Sequence, residues 1–176
     1  MSLNRQYTLL IDVIKNYSYK LNSFNEENFQ FKYDDNTWSS AEVYAHIITA
    51  NKLSLKGMLK AQLGEATEDA SPLSWSARLI FFTGRIPKGR KVPELFIKRT
   101  PKFNSVTEAK QALDELEYEL NNLWDNRNLW SKTQKIKHPA LGLLNNEQWM
   151  KFMLIHSKHH LKQLKRIKLK MDVRLL

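Results

Sequence analysis

Apolar residues along this chain recur at helical spacing in four long stretches, and that period is what most narrows the folds open to it. Leu3, Tyr7, Leu10, Ile14, Tyr17 and Leu21 alternate spacings of four and three, which places them on one side of a helix over about 3–21. Ser39-Ser40-Ala41-Glu42 has the pattern of a capping box and opens a second helix over about 40–63, stopped by Gly64, with Val43, His46, Ala50, Leu53 and Gly57 facing inward. Ser105-Val106-Thr107-Glu108 opens a third over about 105–126, with the stripe Val106, Ala109, Leu113, Leu116, Leu120 and Leu123. Asn145, with Gln148 completing a box, opens a fourth over about 146–170, whose stripe is Trp149, Met153, His156, His160, Gln163 and Ile167.

No convincing alternating strand pattern accompanies these helices, so the expected fold is all-α, a four-helix bundle. A chain of 176 residues, 42% hydrophobic, can bury one substantial core, and residues 1–176 read as a single domain. Between residues 65 and 104 the period weakens and four of the five prolines appear, which predicts a long irregular crossover between helices two and three, with a short helix over about 74–82. The longest apolar runs, such as residues 79–82, fall far short of the roughly 20 residues a membrane-spanning helix needs. No membrane partner is expected. The opening residues show no basic stretch followed by an apolar block, so a cytoplasmic location is the expectation.

The stripes are most informative where polar residues interrupt them. Helices one and three place only apolar residues or tyrosine inward, whereas helix two contributes His46 and helix four His156, His160 and Gln163. Imidazoles buried together need a hydrogen bond or a metal for each ring nitrogen, and one shared ion satisfies all three. His156 and His160 are four apart, so they lie one above the other on a helix and can chelate a single ion, with His46 closing the set from a neighbouring helix. A histidine pair at this spacing is by itself more often a hydrogen-bonded or solvated pair. Lys151, Lys158, Lys162 and Lys165 lie on the opposite side of the helix, and the histidines therefore on its inner face. Gln163 reads equally as a ligand-orienting group or a structural hydrogen bond, His159 as a surface residue beside the site, and His138 as a pocket residue or part of a His-Pro turn.

Charge and cysteine content bound the chemistry. With no cysteine, the chain has no disulfide, no thiolate ligand and no thiol nucleophile of its own. The net charge of +10 is concentrated in residues 85–102 and 158–174, which together carry +12 while the rest carries −2. Such segments suit a nucleic acid or another acidic partner, but helix-four lysines at this spacing have the pattern of a solvated face, and nucleic acid is the less expected partner. Trp75, Phe81, Phe82, Trp124 and Trp130 read as core rather than pocket in an 11% aromatic helical chain.

Thr37-Trp38-Ser39-Ser40-Ala41-Glu42-Val43-Tyr44-Ala45-His46 resembles the tryptophan-serine-to-histidine motif of the DinB/YfiT-like superfamily, in which the histidine is a metal ligand. His138-Pro139-Ala140-Leu141-Gly142, through Trp149 to His156-Ser157-Lys158-His159-His160, is similar to the last helix of the same superfamily. The crossover of residues 65–104 matches no pattern of that family. The resemblance implies a four-helix bundle holding zinc, nickel or another divalent ion on three histidines and water, often as a homodimer. It also implies relatives among thiol S-transferases, isomerases and hydrolases acting on small molecules.

Three neutral imidazoles leave a coordination position open, as a catalytic site requires. The expected function is a divalent-metal-dependent transferase that activates a low-molecular-weight thiol at His46, His156 and His160. The alternatives are a hydrolase using metal-bound water, or a non-enzymatic binding protein with a structural metal. A zincin protease and a di-iron oxidase are set aside, because Ser157 stands where a zincin has glutamate and no Glu-x-x-His pair exists.

Overall fold

Local hydrogen bonds start the helices where the sequence places their caps. The computed structural model describes residues 1–87, 96 and 100–174, the side chains of 172–174 excepted. Helix α1 spans Leu3–Leu21, and a short α2, Glu26–Gln30, follows it on an Asn25/Asn28 capping box. Helix α3, Ser40–Gln62, begins on the Ser39 box: the Glu42 amide donates to Ser39 Oγ (3.1 Å) and the Ser39 amide to Glu42 Oε2 (2.8 Å). It ends at Gly64, whose φ of +77° is the left-handed conformation that glycine adopts without a Cβ clash. Helix α4, Trp75–Thr83, lies in the crossover. Helix α5, Val106–Asp125, starts on Ser105, but the Glu108 carboxylate accepts from the Asn104 amide (2.8 Å) rather than from the cap itself. Helix α6, Asn146–Arg174, starts on a reciprocal Asn145/Gln148 box (2.9 and 3.1 Å).

Helices α1, α3, α5 and α6 form the bundle, α1 and α3 each packing against both α5 and α6. Leu10, Ile14 and Tyr17 of α1 meet Ile47 and Met58 of α3, Leu113, Leu116 and Leu120 of α5, and Met150 and Met153 of α6 in one core. Tyr17 and Tyr44 are buried hydroxyls with partners, Tyr17 donating to the Ser157 carbonyl (2.7 Å) and Tyr44 to the Tyr17 carbonyl (2.9 Å), so α1, α3 and α6 are fastened at one level.

Three features depart from the sequence reading. A three-stranded antiparallel sheet is present, β1 (Thr67–Glu68), β2 (Gln134–His138) and β3 (Gly142–Leu144) in that order, with Thr67 paired to Lys135 and Ile136 to Leu144. Its strands are too short to show a period, and β2 lies against α3 where Gly57 brings the helix backbone close to Ile136. Leu53, assigned inward, is 43% exposed, because the buried line of α3 runs at helical spacing through Tyr44, Ile47, Asn51, Ser54 and Met58 and Leu53 lies off it. Among the aromatics read as core, Phe81 and Trp124 are buried, whereas Trp75 and Phe82 are 83% and 91% exposed. Most of the basic segment 85–102 lies outside the described residues. No described helix is long and apolar enough to cross a membrane.

Candidate metal centre

The two bundle helices that carry histidines into the core, α3 and α6, lie side by side, and their histidines meet. His46 Nε2 is 3.3 Å from His156 Nε2, and His160 Nε2 is 3.0 Å from the same atom. His46 and His160 are buried and His156 is partly exposed. A ligand nitrogen from each of the three lies within 4.8 Å of the other two.

The two Nε2 distances to His156 are compatible with a shared ion. With metal–nitrogen bonds of about 2.0–2.1 Å, two imidazole nitrogens on one ion stand about 2.9 to 3.4 Å apart for bond angles between about 90° and 110°. Hydrogen bonding among the rings alone satisfies them poorly. Gln163 Oε1 lies 2.8 Å from His160 Nδ1, and a carbonyl oxygen only accepts, so the proton sits on Nδ1 and His160 Nε2 presents its lone pair to the cluster. His156 Nε2 can donate its one hydrogen to that lone pair, but it then has no lone pair left to accept from His46, so the His46–His156 contact is satisfied only if His46 accepts a share of the same hydrogen. A cation among the three Nε2 atoms would use all three lone pairs that face one another, while His156 Nδ1 is without a hydrogen-bond partner among the described residues. The donor set fits a divalent ion of borderline softness, and imidazole alone does not choose among zinc, nickel, copper and iron.

Burial holds the rings neutral. Desolvation, followed by the neighbouring His159, lowers His46 to about 4; desolvation and then His46 lower His160 to about 3, against the opposing Gln163 hydrogen bond. His156 is pushed well below the ordinary histidine value by burial and then by His160 and His46. Neutral imidazole is the form that ligates, so the three rings could hold an ion at neutral pH without first losing a proton.

The walls are aromatic. The Trp38 ring is stacked over His160 at 6.0 Å and tilted against His46 at 4.9 Å, Phe152 stacks on His156 at 5.2 Å, and Phe96 meets His46 edge-on at 5.1 Å. Among the described residues no carboxylate hydrogen-bonds or pairs with the cluster. Phe152 was not singled out in the sequence, although its place four residues before His156 is a signal that could have found it; Trp38 lies within the motif that carries the resemblance, and nothing marked Phe96, which comes from the crossover.

The remaining candidates divide. Gln163 holds His160, as one of its two readings required. His159 sits beside the cluster with its ring 5.0 Å from His160, partly buried, and Arg166 and Lys162 share its side of α6. His138 stays outside the cluster: its Nδ1 accepts from the Ala140 and Leu141 amides (3.0 and 3.1 Å), closing the turn between β2 and β3, while its ring packs on Trp149 and Phe152. Two buried polar residues to which the sequence assigned no place in the site, Asn51 and Ser157, join at 3.1 Å and link α3 to α6 next to the histidines.

A family model described as the DinB superfamily matches residues 10–164. Among solved structures, the chain is similar to YfiT from Bacillus subtilis, described as "a probable metal-dependent hydrolase with an unusual four-helix bundle topology". The TM-score is 0.65 at 15% identity, over 98% of this chain and 90% of that one, a likeness of fold. No curated protein matches the sequence at a significant level.

Proposed function

We propose, from the premise that this chain belongs to the DinB superfamily, that it is a metal-dependent enzyme whose three histidines hold one divalent ion and whose nucleophile is supplied from outside the protein. The observation that carries this reading is the convergence of the His46 and His160 Nε2 atoms on His156 Nε2 at 3.3 and 3.0 Å, with no carboxylate paired to them among the described residues. Such an ion, when bound, supplies Lewis acidity that makes water or a thiol nucleophilic at neutral pH. His46, His156 and His160 would hold it, Gln163 keeps the proton of His160 on Nδ1, and Trp38, Phe96 and Phe152 exclude bulk water from one side.

Hydrolysis is the first reading, because YfiT shares the fold and is described as a metal-dependent hydrolase. Transfer of a low-molecular-weight thiol is the second, favoured by the aromatic walls, which suit a soft sulfur nucleophile better than a water chain, and by a chain without cysteine. The test begins with protein purified without a histidine tag, its metal measured by elemental mass spectrometry beside a His156→Ala/His160→Ala variant. Near-stoichiometric divalent metal in the wild type and none in the folded variant is the expected result. Ester and amide hydrolysis, followed with and without added thiols, then separates the two reactions. A wild type that takes up neither zinc nor nickel overturns both.

A further inference from the structure

Helix α4 is apolar on two sides. Ala77, Ile80 and Phe81 are buried against the rest of the protein, while Trp75, Leu79 and Phe82 are 83%, 57% and 91% exposed. The exposed three are spaced i, i+4, i+7 and form one stripe. Scattered apolar residues are ordinary on a surface, but a tryptophan, a leucine and a phenylalanine on consecutive turns of one nine-residue helix make a patch. Its surroundings are basic. The Arg78 guanidinium lies 5.8 Å from the centre of the Trp75 ring, and Arg85 is exposed just past the helix. From residue 70 to residue 87 the sequence has two basic residues, Arg78 and Arg85, and no acidic one.

We infer that α4 is an interfacial anchor which rests on an anionic lipid surface, with Trp75, Leu79 and Phe82 entering the boundary between headgroups and acyl chains and Arg78 and Arg85 facing lipid phosphate. Charge chooses this occupant. A second copy laid on the same patch about a two-fold axis would bring the two Arg78/Arg85 pairs together, and the stretch 70–87 has no carboxylate to offset them. An anionic bilayer presents the opposite sign, and an apolar stripe edged by arginine, with tryptophan at one end, is what its interface accepts. Lying on a membrane needs one apolar face and flanking cations rather than a span, so the absence of a membrane-crossing helix is no obstacle. With three anchoring side chains the association is weak and reversible. The inference does not depend on the metal reading.

The test is co-sedimentation of the full chain with vesicles of phosphatidylcholine alone and with phosphatidylglycerol added. Partitioning roughly tenfold or more stronger to the anionic vesicles, and weakened by salt, is expected. The variants Trp75→Ser/Leu79→Ser/Phe82→Ser and Arg78→Gln/Arg85→Gln should each lose most of that binding while keeping the circular dichroism of the wild type; the arginine pair covers the case in which the triple variant folds poorly. Quenching of tryptophan fluorescence by brominated acyl chains should fall in Trp75→Phe. Failure of the wild type to prefer anionic vesicles overturns the inference, as does undiminished binding by both variants. A concentration-dependent dimer abolished by the triple variant, or binding to single-stranded DNA that exceeds binding to the vesicles, overturns it in favour of another partner.

Discussion

Gln163 Oε1 stands 2.8 Å from His160 Nδ1, one helical turn along α6, and this contact settles which nitrogen of His160 faces the cluster. Replacing Gln163 with leucine removes the acceptor that fixes the tautomer and the ring. Outer groups of this kind are worth roughly 10- to 100-fold in metal affinity. Chelator competition on Gln163→Leu should show a loss in that range with the helix content unchanged; wild-type affinity would assign Gln163 a purely structural part.

Acid should unfold the metal-free protein through its histidines. His46 and His160 titrate near 4 and 3 in the fold and near 6.5 when unfolded, and His156 is lowered in the same sense, so the unfolded chain binds more protons between those limits. The stability that depends on neutral rings is complete above about pH 6.5 and is lost as pH falls toward 4 and 3. Melting temperature followed from pH 8 to pH 4 in the presence of chelator should drop over that window, and His46→Leu/His156→Leu/His160→Leu should drop less. An equal slope in both proteins would assign the acid sensitivity to other groups.

Asn51 and Ser157 should matter for stability as a pair. Asn51 Nδ2 donates to Ser157 Oγ at 3.1 Å where both residues are buried, so Asn51→Ala leaves a buried hydroxyl with one partner fewer. A loss of about 1–3 kcal/mol in urea unfolding is expected, and a double-mutant cycle with Ser157→Ala should show coupling between the two sites. Strict additivity would mean that the hydrogen bond contributes nothing of its own.

A core truncation provides the contrast. Leu120 is fully buried in α5, which contributes no ligand, and Leu120→Ala should cost about 2–5 kcal/mol by transfer and cavity terms. The metal affinity of the folded fraction should stay at the wild-type value, since the ligands come from α3 and α6. A parallel fall in affinity would show that the centre depends on the whole bundle rather than on those two helices.

Much of this was legible in the chain because it is local. Capping boxes at Ser39 and Asn145 join residues three apart, and the stripe of α1 repeats within one helix, so short-range pattern is enough to find both. His156 and His160 were legible for the same reason, and His46 because it breaks an apolar stripe. The sheet was not, since β1 and β2 are far apart in sequence and β1 is two residues long.

The sequence by itself determined where the four bundle helices run, which residues cap most of them, and that three histidines point inward, because periodicity and i to i+3 hydrogen bonds are properties of neighbouring residues. Only the tertiary structure decided how each helix is rotated against its partners. That rotation turns Leu53 outward, leaves Trp75 and Phe82 in solvent, and brings Trp38 and Phe96 over rings they are distant from in the chain. The reason is physical: a helical stripe sets the side that is buried only to within a turn or so of azimuth, and packing against several neighbours at once sets the rest.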